Sequence, residues 1–326
     1  MTCGLIDIQV NGFAGVDFNN SSLCLEAIEH ACAALACSGV VKFCPTIITA
    51  APERMSHLLN LLQRACRQSS RAATMIAGIH LEGPFLAKGA HGAHTARHLC
   101  RPNLKLFQKF QRAAANRIRI VTLAPELPGA IRLVRQLATE GMIVAIGHTH
   151  ANEHIIVDAT AAGARLSTHL GNGIEAMIDR HQNPLWAQLA EDDLVGSIIP
   201  DGIHLPASVL QVFLKAKRWQ RLILTTDCMS AAGAPPDRTY TLGDTHLTVG
   251  ADRIVRLPGH QNFAGSALTL DKGICHFSKT TGLDFSRSVH LASVNPAKLL
   301  GLPRSSISGR CLWHRTGSRW KLVGVR

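Results

Sequence analysis

The chain of 326 residues is 46% hydrophobic and 17% charged, a balance that excludes intrinsic disorder and suits one α/β barrel of about 250 residues with a small appendage. Its net charge of +12 fits an anionic small substrate, and because Lys and Arg are scattered beside a single Tyr, no nucleic-acid partner is expected. With no CxxC pair among 10 cysteines, no basic leader and no apolar run of about 18 residues, the expectation is a reduced, cytoplasmic protein with no membrane span.

Eight short apolar, β-branched runs read as strands in chain order: 5–10, 40–44, 75–81, 118–123, 143–146, 165–168, 195–199 and 222–226. Helical patterns lie between them. One covers 23–39 and ends at Gly39 as a C-cap; another covers 52–68 with Pro52 in its first turn; a third covers 128–141. Eight βα alternations predict a (β/α)₈ TIM barrel, with a doubly wound open sheet as the alternative. After Asp227 the texture changes. Residues 239–257 alternate around the turn pairs Gly243-Asp244 and Ala251-Asp252 and read as small antiparallel β structure. A helical pair follows over 268–281 and 288–300, then a β-like tail over 308–326. The expected division is a barrel of 1–234 and 263–303, with 235–262 and 304–326 forming a small β domain.

Four polar residues stand at the ends of these strands: Glu82, His148, His169 and Asp227. A barrel builds its active site from the C-terminal ends of several strands. One carboxylate and two imidazoles can hold a divalent metal, and a further carboxylate can move protons to and from water. The pattern reads as a metal-dependent hydrolase. Each residue alone also has a plainer reading: Glu82 paired with an Arg, the histidines as hydrogen-bonded core groups, Asp227 as a helix N-cap.

Gln9 and Asn11 alternate to one face at the end of the first strand, where neutral amides are poor metal ligands, so one tightly held metal is expected. They are left as a weak second site, water contacts, or strand-end amides that satisfy the backbone. The Gly171-Asn172-Gly173 turn after His169 exposes N–H groups that suit an anion. His204 could donate to a substrate, while Asp201 shapes its turn. His94 could polarise a carbonyl, with His91 competing for that role, and Arg180 is either an anion partner or a solvated surface residue.

These segments together resemble the N-acetylglucosamine-6-phosphate deacetylase family of the amidohydrolase superfamily. The matching motifs, in order, are GLIDIQVNGFAGVDFN (4–19), GIHLEGPFL (78–86), GHTHA (147–151), STHLGNG (167–173), IIPDGIHLP (198–206), LTTDCMSAAG (224–233), FAGSALTL (263–270) and SVNPAKLLGL (293–302). The resemblance implies a distorted barrel with a small β domain, a homodimer, and hydrolysis of the acetamide of N-acetylglucosamine 6-phosphate in amino-sugar catabolism. It implies Glu82, His148 and His169 as ligands of one divalent metal, Zn²⁺ first, with Fe²⁺, Mn²⁺ or Co²⁺ as alternatives. It makes Asp227 the acid/base and His94 the group that polarises the carbonyl. His204, Asn172 and Gly173 fall near the sugar phosphate, and Arg180 would serve a neighbouring subunit.

Two departures accompany the match. The family's strands ahead of the first barrel strand have no counterpart, so the small domain is expected to be N-terminally truncated. STHLGNG also differs from the family pattern, which has a bulky residue before Asn and Ala-Met after it. That change touches the phosphate pocket and not the hydrolytic centre. The alternatives are therefore an amidohydrolase acting on another N-acyl or cyclic amide, and a catalytically silent remnant.

Overall fold

Every one of the eight expected strands is present, and together they form one parallel sheet rolled into a nearly closed barrel. The computed structural model describes residues 1–256, 263–317 and 319–326. The barrel strands are β1 (Leu5–Val10), β2 (Val40–Ile48), β3 (Ile79–Glu82), β4 (Ile118–Leu123), β5 (Ile143–Ile146), β6 (Ala164–Ser167), β7 (Val195–Ile198) and β8 (Leu222–Leu224). Each pairs with its neighbour in sequence. Helices cross between them, among them Leu25–Cys37, Pro52–Gln68, Ala130–Thr139 and Glu153–Ala161. A parallel sheet needs such crossovers, and they bury its outer face.

The strands are buried on both sides, which is why they read as continuous apolar runs. Ile6, Ile8, Cys44, Ile120, Ala145, Leu166 and Ile223 from six strands form one inner cluster. A larger layer packs Ile28, Leu35, Leu58, Leu62, Phe107 and Phe110 between sheet and helices. All ten cysteines are free, several of them within these apolar layers, as expected of small buried hydrophobes.

Closure between β1 and β8 uses more than strand pairing. At the mouth, the Asn11 N–H donates to the Cys228 carbonyl at 2.7 Å. Deeper down, the Asp7 carboxylate accepts from Thr225 Oγ1 at 2.7 Å and Thr226 Oγ1 at 2.6 Å. Further along, a break in the last helical segment fills the gap. The Leu291 carbonyl accepts from Leu224 N at 2.9 Å, and the Ala292 carbonyl from Ile6 N at 2.7 Å.

That break corrects the helix expected over 288–300, which is two short helices, Phe285–His290 and Val294–Leu299. Pro296 supplies the reason. It has no N–H to give Ala292, four residues earlier, and its ring would crowd that carbonyl in a continuous helix. The freed carbonyl serves β1 instead.

The expected single small β domain is two separate sheets among the described residues. Arg238–Leu242, Thr245–Val249 and Val255–Arg256 form an antiparallel meander. Gly243, with φ +62°, makes its two-residue turn. Leu247, Val249 and Val255 pack with Met229, Ala231 and Ala264 just beyond β8, which holds this sheet at the mouth. The C-terminal strands Arg310–Thr316 and Arg319–Val325 pair with each other, and the first also pairs with Thr2–Cys3. Trp320 of this hairpin stacks on Phe285 at 4.3 Å, far along the chain from the meander. Residues 257–262, including Leu257 of the expected β segment, lie outside the described residues.

Candidate active site and metal centre

Backbone conformation aims the side chains at the mouth. Glu82 is the last residue of β3, whereas His148, His169 and Asp227 follow β5, β6 and β8 with φ of +51°, +29° and +49°. Left-handed conformations cost L-residues about 1 kcal/mol each and persist where the surroundings hold them. Here the side chains that result line one pocket with a cavity volume of about 440 Å³.

Glu82 Oε1 lies 3.1 Å from His148 Nε2 and 3.0 Å from His169 Nε2, and the two ring nitrogens are 3.1 Å apart. Ligands about 2.0 Å from a tetrahedral ion stand about 3.3 Å from one another, so the triangle fits one face of such a site. The chemistry of the donors agrees. His148 Nδ1 donates to the Ala90 carbonyl at 2.8 Å, which leaves the Nε2 lone pair facing inward. An imidazole lone pair, a second ring nitrogen and a carboxylate so close together, buried from water, call for a cation. Among the described residues this is the only group of three such ligands within reach of each other.

Gln9 and Asn11 sit beside the carboxylates as donors. Gln9 Nε2 donates to Glu82 Oε2 at 3.1 Å, and Asn11 Nδ2 donates to Asp227 Oδ1 at 2.8 Å. Each amide thus fixes one acid. Burial pushes Asp227 up to about 6, with His169 and Asn11 pulling it down and Glu82 pushing it further up.

His94 reaches the same pocket from the loop after β3, its Nε2 3.9 Å from Glu82 Oε1. The Thr49 N–H donates to His94 Nδ1 at 3.3 Å, and the Thr49 hydroxyl lies 3.0 Å from the same nitrogen. The ring proton therefore sits on Nε2, facing the pocket. Burial, reinforced by His148, pushes this imidazole down to about 3, so it is neutral and donates one hydrogen bond. Gly83 keeps room for the arrangement: with φ +84°, a Cβ there would fall 2.2 Å from Thr49 Oγ1. His91 points elsewhere and bonds to the Lys88 carbonyl.

The turn after His169 brings Asn172 and Gly173 to the pocket wall. Gly173, at φ +63°, passes so close that a Cβ would meet His148 Nδ1 at 2.9 Å and His169 Cε1 at 3.1 Å. His204 lines the opposite side, its Nδ1 2.6 Å from Asp201 Oδ2, and Asp201 also accepts from the Ile203 and His204 N–H groups. Asp201 thus both shapes the turn and orients the ring. Arg180 is not among the pocket residues of its own chain; it is exposed, and its carbonyl accepts from Trp186 Nε1.

Sequence reasoning missed Thr49 and the Ala90 carbonyl, whose roles depend on contacts 45 and 58 residues away along the chain. It also missed Glu175 and Phe263 in the pocket wall. The Glu stands two residues beyond the turn already singled out as unusual, and that turn was the available signal.

The sequence profile of the amidohydrolase family matches residues 1–307. The chain is 33% identical to the N-acetylglucosamine-6-phosphate deacetylase of Bacillus subtilis (strain 168), across 92% of this chain and 75% of the relative. It is 32% identical to the enzyme of that name from Homo sapiens, across 93% and 75%. Among solved structures, an Asp-to-Ala variant of the Mycobacterium smegmatis N-acetyl-D-glucosamine-6-phosphate deacetylase, in complex with N-acetyl-D-glucosamine-6-phosphate, superposes with a TM-score of 0.85 at 30% identity, across 93% of this chain and 78% of that one.

Proposed function

The chain belongs to the amidohydrolase family, within it to the N-acetylglucosamine-6-phosphate deacetylases, and on that premise we propose that it hydrolyses the acetamide of N-acetylglucosamine 6-phosphate to glucosamine 6-phosphate and acetate. One observation carries the reading: Glu82, His148 and His169 converge on one point of a pocket that Asp227 and His94 also line. Two imidazoles and a carboxylate suit Zn²⁺, which when bound polarises a carbonyl and lowers the pKa of water toward about 7.

The chain's own groups do the rest. Asp227 takes a proton from the attacking water as its oxygen adds to the acetamide carbon. It returns that proton to the nitrogen as the C–N bond breaks, which releases the amine and acetate. His94 Nε2–H donates to the carbonyl oxygen as negative charge gathers there. Gln9 and Asn11 hold the two carboxylates in place. The Asn172-Gly173 backbone and His204 take the sugar-phosphate end, and in a homodimer Arg180 would serve the partner subunit's pocket.

The test separates metal from chemistry. Asp227→Asn should keep its metal and lose turnover by about 10³-fold or more, whereas Glu82→Gln should lose metal in elemental analysis. Near-normal acetate release by Asp227→Asn contradicts the assignment.

A further inference from the structure

Among its described residues, the pocket as one chain builds it carries no fixed cation. No Lys or Arg lines it among the described residues, and 257–262, Leu-Pro-Gly-His-Gln-Asn, contains neither. What stands there instead is a carboxylate. Glu175 lines the pocket two residues beyond the Asn172-Gly173 turn, with its side chain 51% exposed at the rim. It leans over Gly89, where a Cβ would meet Glu175 Oε1 at 2.5 Å and His150 Nε2 at 2.8 Å. His150 Nδ1 is 4.0 Å from Glu175 Oε2. The His150 backbone is held as well: Glu126 accepts from its main-chain N–H at 2.6 Å and from the Thr149 hydroxyl at 2.5 Å.

A carboxylate at that rim accepts hydrogen bonds from hydroxyl groups and repels a phosphate dianion. We propose that the chain also deacetylates N-acetylated amino sugars that carry no phosphate, with Glu175 accepting a hydroxyl hydrogen bond and setting the ratio between the two substrate classes. The bonds made and broken are those of the amide hydrolysis above, on which this inference rests.

The experiment measures kcat/KM for acetate release from N-acetylglucosamine and from its 6-phosphate, using zinc-loaded wild type and Glu175→Gln. The wild type should turn over both sugars. Glu175→Gln removes the charge and keeps the shape, and it should move the ratio about fivefold or more toward the phosphorylated sugar, the size of one like-charge contact near a surface. Loss of packing alone would lower both constants together. Failure to hydrolyse the unphosphorylated sugar, or an unmoved ratio in the variant, overturns the inference while the deacetylase reading stands. Turnover of the unphosphorylated sugar alone supports it and overturns the phosphorylated substrate. Turnover of neither sugar overturns both.

Discussion

Asp227 must be ionised to take a proton from water, yet its surroundings favour the neutral acid. Burial places the group at about 6, with the Asn11 amide pulling in the opposite direction. The base form is therefore present above that value and falls tenfold per unit below it. The predicted kcat/KM profile rises with unit slope on its acid side and then levels, at or below about pH 6, because a bound divalent cation favours the carboxylate. Asn11→Leu takes away a hydrogen bond that stabilises the carboxylate, so its rising limb should shift to higher pH. A limb unmoved in that variant contradicts the role given to Asn11. Glu82, His148, His169 and Asp227 were legible in the sequence because each is a polar residue that ends an apolar strand. Their orienting partners were not. Gln9 and Glu82 lie 73 residues apart, and the Ala90 carbonyl that fixes His148 leaves no trace in residue type.

Strand order follows from the alternation of short apolar runs and amphipathic helices, and β1 to β8 appear where that alternation put them. How the barrel closes did not follow from it. Asp7 is buried, 1% exposed, and its carboxylate ties β1 to Thr225 and Thr226 after β8. In sequence it is one more polar residue in an alternating strand. Asp7→Ala leaves two buried hydroxyls without their acceptor and should cost about 2–4 kcal/mol in urea denaturation, with Asp7→Asn costing less. A loss under about 0.5 kcal/mol, the scatter of a neutral surface change, contradicts closure through this residue. The split of the 288–300 helix belongs to the same closure. Pro296 was visible in the interior of the expected helix, where a proline removes the bond to the carbonyl four residues earlier, but where that carbonyl would go was not. The deciding partner, the Ile6 N–H, is on a distant strand.

For the whole molecule, family membership and the barrel agree, and the small β segments are where the sequence reading departed from the structure. Alternation marks a strand but does not name its partner. The 238–256 meander and the C-terminal hairpin each found a nearer apolar surface, at Met229 and Phe285 respectively. The same limit applies at the pocket, where the altered turn announced a change that only the rim geometry of Glu175 and Gly89 made specific. The central claim is that amide hydrolysis depends on one metal held by Glu82, His148 and His169. The direct measurement is acetate release from N-acetylglucosamine 6-phosphate by chelator-stripped protein titrated with Zn²⁺. Activity should be absent at the start, rise in proportion to added metal and level at one equivalent per chain. Full activity in the stripped protein, or no acetate at one bound equivalent, contradicts the account.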